Sequence, residues 1–186
     1  GSVWAMALVY SCSFLAAAEV NNFDNTRMSI GLNPEVCRWR LEPQETFQTP
    51  EAIMVYSGEG LNGMSQRFHN VIRRRIVRGV WRDKARPILL NNWEATYFGF
   101  NEELLVKIAE GAKNIGAELF VLDDGWFGKR DSDNCSLGDW VVDRRKLPGG
   151  IEGVAKKVTE MGLLFGLWFE PEMVSPDSDL YRAHPD

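Results

Sequence analysis

Glu118-Leu119-Phe120-Val121-Leu122-Asp123-Asp124-Gly125-Trp126 decides the reading of this chain. An apolar run of strand length ends in two adjacent acids, a glycine and an indole. Burying unpaired carboxylates costs several kcal/mol, so acids closing a buried strand mark a site rather than a core. Two further runs end alike. Residues 88–92 lead into Trp93-Glu94, and residues 163–169 contain Trp168 and lead into Glu170-Pro171-Glu172. Acids and indoles at successive strand ends suggest a sugar-binding pocket. A flat ring covers the C–H face of a pyranose, and carboxylates accept strongly from its hydroxyls.

Helical patterns separate these runs. Asn101 is placed to cap a helix, with Glu102 and Glu103 in its first turn. Leu104, Leu105, Ile108, Ala112 and Ile115 form its expected buried stripe, and Gly116 suits its end. Ile151, Val154, Ala155, Val158 and Met161 form a second stripe, with Gly162 at its end. Strand, helix, strand, helix, strand predicts a parallel sheet covered by helices. Such sheets carry their sites at strand C-termini, where the acids and indoles lie. The loop after residue 122 runs for about twenty residues, against about 2–6 for an ordinary βα connection, which is a functional hint. Three strands cannot close a barrel, so the sequence reads as a fragment of a larger protein.

Residues 1 to about 57 read as β-rich. Residues 3–15 hold one strand or two, and 27–32, 36–41 and 53–56 are further short runs. Asn-Pro, Glu-Pro and Thr-Pro turn signals separate them, as in part of an antiparallel sandwich. Residues 3–18 are apolar but lack a basic leader, are broken by Tyr10, Ser11, Cys12 and Ser13, and fall short of the roughly 20 residues of a membrane helix. In residues 61–79, Met64, Phe68, Val71, Ile72, Arg75 and Ile76 take helical spacing. Arg67, Arg73, Arg74, Arg75, Arg78 and Arg82 make this stretch basic. A linker helix with a solvated face is favoured over a nucleic-acid helix, because the net charge is −5. The expected divisions are therefore 1–60, a sandwich portion; 61–85, a linker helix; and 86–186, the start of a barrel. Cys12, Cys37 and Cys135 show no metal spacing and read as reduced thiols of a cytoplasmic protein.

Adjacent acids on a strand point to opposite faces. Asp123 and Asp124 are thus a poor acid and nucleophile pair, which in a retaining glycosidase needs oxygens about 5–5.5 Å apart. They read instead as hydroxyl acceptors, against the alternative of a capped loop. Trp93 and Trp168 are either pocket walls or core indoles, and Trp126 packs beneath the loop. Glu170 and Glu172 share a face and, with Glu94 and Asp123, could hold a divalent ion. No His or Asn completes that shell, so scaffold acids are favoured. Asp139 either reaches the pocket mouth or tethers the loop. Residues 147–150 read as a turn before a helix, not a phosphate loop.

The chain resembles the bacterial-type α-galactosidases of glycoside hydrolase family 36. Phe47-Gln48-Thr49-Pro50-Glu51-Ala52, Gly60-Leu61-Asn62-Gly63-Met64-Ser65 and Asn91-Asn92-Trp93-Glu94-Ala95-Thr96-Tyr97-Phe98 carry the likeness. So do Leu122-Asp123-Asp124-Gly125-Trp126-Phe127-Gly128, Gly138-Asp139-Trp140 and Gly166-Leu167-Trp168-Phe169-Glu170-Pro171-Glu172. The resemblance implies an α/β fold: an N-terminal β-sandwich remnant followed by the first three strands of a (β/α)8 TIM barrel. It implies hydrolysis of terminal α-galactose from melibiose, raffinose or stachyose type sugars, by a retaining mechanism with two Asp residues and no cofactor or metal. The nucleophile and acid/base motifs of the family follow later strands and are absent from this sequence, so this chain alone is expected to be inactive. By resemblance, Asp123 and Asp124 bind galactose hydroxyls 4 and 6, and Trp93 and Trp168 wall the pocket. The family often forms homotetramers, and neither nucleic acid nor membrane is an expected partner. The rival readings are a barrel enzyme using Mg²⁺ or Mn²⁺, and a non-catalytic carbohydrate-binding or structural piece.

Overall fold

A computed structural model describes residues 1–185. The chain divides into two compact units, Gly1–Lys84 and a second from Ala85 onward.

The first unit contains two antiparallel strand pairs. Strand β1 (Val3–Leu8) pairs with β4 (Ala52–Ser57), and β2 (Phe14–Val20) pairs with β3 (Thr26–Leu32). Residues 3–15 thus divide between two strands, separated by the turn that contains Tyr10 and Cys12. Trp4 lies opposite Tyr56, their rings 4.7 Å apart, the kind of cross-strand aromatic pair that fixes register. No strand forms at 36–41. There Asn33 competes for the backbone: its Oδ1 accepts from Glu35 N at 3.0 Å and its carbonyl from Cys37 N at 2.9 Å. An Asx turn of this kind winds the chain away from extension.

The helix expected over residues 61–79 is shorter than its pattern and lies within the first unit. Helix α1 (Gly60–Val71) passes into a π turn over Ile72–Ile76, which ends where Val77 becomes extended. The turn shifts the helical phase, and Ile72 and Ile76 are exposed instead of continuing the stripe. No helix of the described residues is long and apolar enough to cross a membrane.

The second unit contains the parallel sheet. Strands β5 (Leu89–Asn91), β6 (Leu119–Leu122) and β7 (Leu164–Leu167) lie in the order β5-β6-β7, both pairings parallel. Helix α2 (Trp93–Thr96) follows β5 directly. Helix α3 (Glu102–Asn114) connects β5 to β6, and α4 (Gly150–Glu160) connects β6 to β7. Asn101 caps α3 as expected, its side chain accepting from Leu104 N at 2.9 Å. Leu105, Ala109, Phe120, Leu122, Val154 and Val158 form the core between sheet and helices. Ile115, expected in the buried stripe, is 78% exposed. It lies beyond the last helical residue, where the chain turns toward Gly116 (φ +90°). Helix α5 (Asp179–Ala183) ends the described chain, capped by Ser178.

Residues 123–149 form a folded ribbon rather than slack chain. Phe127 bridges Val142, Gly128 N donates to Val141 O at 2.7 Å, and Asp143 N to Trp126 O at 2.8 Å. The ribbon is stapled to the chain beyond β7. Ser136 N donates to Asp177 Oδ1 at 3.2 Å, Leu137 N to Ser175 Oγ at 3.0 Å, and Asp179 N to Asp139 Oδ2 at 3.0 Å.

Candidate sugar-binding site

The C-terminal ends of β5, β6 and β7 lie side by side, so the segments that follow them share one rim. Asn91 and Asn92 organise the β5 end. The Asn91 amide donates to Asp123 Oδ2 across the strand pair, while Asn91 Oδ1 accepts from Trp93 N at 2.6 Å. The buried Asn92 accepts from Asp123 N at 2.9 Å and donates to Thr96 Oγ1 at 2.8 Å. Two asparagines therefore fix where Asp123 leaves the sheet and where α2 begins. Trp93 opens that helix and is half-buried, packed edge-on against Tyr97 and Phe98 with centroids 5.2 and 5.0 Å away.

Asp123 and Asp124 follow Leu122, the last residue of β6, and take different partners. Asp123 is half-buried, and its Oδ1 accepts from Asp124 N at 2.7 Å. Asp124 is only 5% exposed and faces Arg130, itself only 3% exposed. Arg130 Nε lies 2.9 and 3.1 Å from the two carboxylate oxygens, and Nη2 lies 2.7 Å from Oδ2. Burial pulls the Arg130 guanidinium down, but the hydrogen bonds and charge of Asp124 outweigh it and leave Arg130 raised. Gly125 then turns at φ +96° and brings Trp126 under the rim. A side chain at Gly125 would meet the Phe98 and Phe100 rings at 3.1 and 3.3 Å.

Trp168 leaves β7 with its N–H on Leu122 O at 2.9 Å, and its carbonyl accepts from Trp126 Nε1 at 3.0 Å. Its half-buried ring stacks at 14° on Phe127, 6.5 Å away, and lies edge-on to Trp140 at 6.4 Å. Trp126 is buried in the core beneath the loop. Trp93, Asp123, Asp124 and Trp168 thus all stand at the ends of three adjacent strands. The aromatic contacts of Trp93 and Trp168 do not include each other: Trp93 packs on the α2 side, Trp168 on the ribbon side. A cavity of about 620 Å³ lies by the ribbon, lined by Gly128, Ser136, Asp139, Trp140 and Asp177 rather than by these four.

Asp139 tethers. Its carboxylate accepts from the N–H groups of Asp179 and Leu180. Glu94 is exposed and accepts from Tyr97 Oη at 3.1 Å, a hydrogen bond that raises the Tyr97 phenol. Glu172 is exposed and Glu170 half-buried. Among the described residues no group of three or more His, Cys, Asp or Glu side chains is placed to hold a metal ion.

Asn91, Asn92 and Arg130 carry the rim and were not singled out from sequence as site residues. The available signal was local: two amides at a strand end beside a predicted acid pair, and a cation six residues after it.

Comparison with known proteins shows the family. A melibiase family model matches residues 46–186, and a model of the glycosyl hydrolase family 36 N-terminal domain matches residues 1–42. The chain is 61% identical to alpha-galactosidase AgaA of Geobacillus stearothermophilus, over 100% of this chain and 26% of that protein. It is 53% identical to alpha-galactosidase Mel36A of Lactobacillus acidophilus, over 100% of this chain and 25% of that one. A crystal structure of an AgaA variant in complex with raffinose superposes with a TM-score of 0.88 at 61% identity, covering 100% of this chain and 26% of that one. The chain spans about a quarter of the length of these relatives.

Proposed function

This chain belongs to the melibiases of glycosyl hydrolase family 36, and from that premise we propose that it supplies the galactose-binding rim of an α-galactosidase. The substrates are terminal α-galactosides of the raffinose and stachyose class, such as the raffinose seen on the Geobacillus relative. Asp123 and Asp124 accept the galactose 4- and 6-hydroxyls, and Trp93 and Trp168 flank the ring. The single observation that carries this reading is the braced acid pair: one carboxylate is held by Asn91 and the other by Arg130, at the end of the central strand. Acids fixed in this way offer acceptors that need little reorganisation when a hydroxyl arrives.

Hydrolysis would be retaining. An Asp nucleophile attacks the anomeric carbon to give a galactosyl-enzyme while a second Asp protonates the leaving oxygen, then takes a proton from the water that releases galactose. In this reading both residues lie outside this segment, whose task is to bind and orient. Residues 1–60 belong to the sandwich domain, 61–85 to the linker and 86–186 to the barrel. We take the intact protein to be a cytoplasmic homo-oligomer of the tetrameric kind, and the free Cys12, Cys37 and Cys135 thiols support a reducing compartment.

Calorimetric titration of the full-length protein with galactose tests the reading. Binding should be saturable and lost in both Asp123→Ala and Asp124→Ala. Unchanged affinity in both variants would contradict it.

A further inference from the structure

Arg130 is a basic residue with a buried job. Its guanidinium holds both oxygens of Asp124, and Nη1 donates to Cys135 O at 2.7 Å. Its charged carbon lies 5.5 Å from the centre of the Phe98 ring, and Phe98 in turn packs edge-on against Trp93. The backbone around the pair is pinned as well. Lys146 Nζ donates to Gly125 O at 2.9 Å and to Arg130 O at 3.0 Å. Trp93, Phe98, Arg130 and Asp124 therefore form one continuous contact chain from indole to acid.

Stability does not account for such a pair. Desolvating two charges cancels most of their attraction, and apolar replacements are often as stable. Geometry accounts for it better. A carboxylate has about four acceptor positions. Arg130 makes three N–H contacts with Asp124, two of them at Oδ2, which leaves acceptor capacity chiefly at Oδ1. Asp123 accepts one hydrogen bond on each oxygen and keeps a free position on both.

We propose that Arg130 is a positioning residue for galactose recognition: it fixes the Asp124 carboxylate so that its free acceptor and those of Asp123 form one set matched to neighbouring sugar hydroxyls. The inference rests on the reading of Asp123 and Asp124 as sugar-binding acids. Lysine cannot replace this residue, because one ammonium cannot span Asp124 and Cys135 O with a planar fork.

The test uses the full-length enzyme with Arg130→Lys, Arg130→Gln, Asp124→Asn and the double variant Asp124→Asn/Arg130→Gln. Galactose affinity, kcat and KM on an aryl α-galactoside, and thermal midpoints are measured, with kinetics well below each midpoint. Arg130→Lys should lose roughly 10- to 100-fold in kcat/KM and in galactose affinity, the scale of a small misplacement of a binding group. The effect of Arg130→Gln should vanish in the Asp124→Asn background, since it acts through that carboxylate. The double variant should recover the midpoint lost in Arg130→Gln but not the affinity. Wild-type affinity in Arg130→Lys, or an equal Arg130→Gln effect in both backgrounds, overturns the inference while leaving galactose binding intact. A wild-type enzyme that does not bind galactose overturns the sugar reading itself, and the role of Arg130 with it.

Discussion

Asn91 grips Asp123 from the neighbouring strand while its own Oδ1 receives the Trp93 N–H at 2.6 Å. One amide thus sets both an acid and the start of the helix that carries an indole. Asn91→Ala should weaken galactose binding about tenfold, since a hydrogen bond to a charged group contributes about 1.5–3 kcal/mol and water replaces part of it. Asn91→Asp should be worse, because it sets a second negative charge against Asp123. Calorimetry on the full-length protein ranks the two, and equal affinities for both variants would contradict the argument.

Asn92 is buried, and its side chain satisfies Asp123 N and Thr96 Oγ1. Replacement by Leu leaves the half-buried Asp123 N without its side-chain acceptor, while Thr96 Oγ1 keeps its hydrogen bonds to Asn92 O and Tyr97 O. A loss of about 1–3 kcal/mol in unfolding free energy is expected, read from chemical denaturation.

Gly125 holds φ +96° with two phenyl rings and Arg130 O close to where a Cβ would stand. Gly125→Ala adds left-handed strain of about 1–2 kcal/mol before any ring movement. The ring movement should show as a loss of galactose affinity, since Phe98 lies between Trp93 and Arg130. A variant that is destabilised yet binds galactose normally would disconnect the turn from the rim.

Asp143 gives the acid limit of the ribbon. Burial pushes its carboxyl up, but hydrogen bonds from the Arg145 side chain and backbone N–H outweigh this and hold it below the usual carboxylate range. A folded-state pKa lowered in this way contributes stability above the unfolded value, about 3.9 for Asp, and that contribution is lost as pH falls through the lower folded value. Unfolding free energy should therefore fall on acidification below about pH 4, and the slope should flatten in Arg145→Gln. Melts across pH 2.5–6, roughly the carboxylate range, check it.

The 186-residue chain alone should show no α-galactosidase turnover, whereas the full-length protein should. A clear rate from the isolated segment would place catalytic acids among its own residues.

Much of the second unit was legible because its signals are periodic or local. The Asn101 cap, the apolar strand before Asp123 and the Val154 and Val158 stripe follow from spacing alone. The acid pair was legible because two carboxylates after a buried strand need a reason. What supports them was not. Arg130 reads as one more solvated cation in a loop of mixed charge, and only the ribbon's fold carries it to within 2.7 Å of Asp124. Residues 36–41 look extended by composition, but the turn begun at Asn33 prevails there. Ile115 fits a helical stripe and lies one residue past the helix that would have buried it.

The staples from the ribbon to the chain after β7 join residues 38 to 41 positions apart. During synthesis, Asp124 and Arg130 can meet as soon as the two emerge from the ribosome, but the far half of the ribbon must wait for Ser175, Asp177 and Asp179. A nascent chain stalled between these points should expose residues 134–140 to protease and lose that sensitivity once the later residues are released.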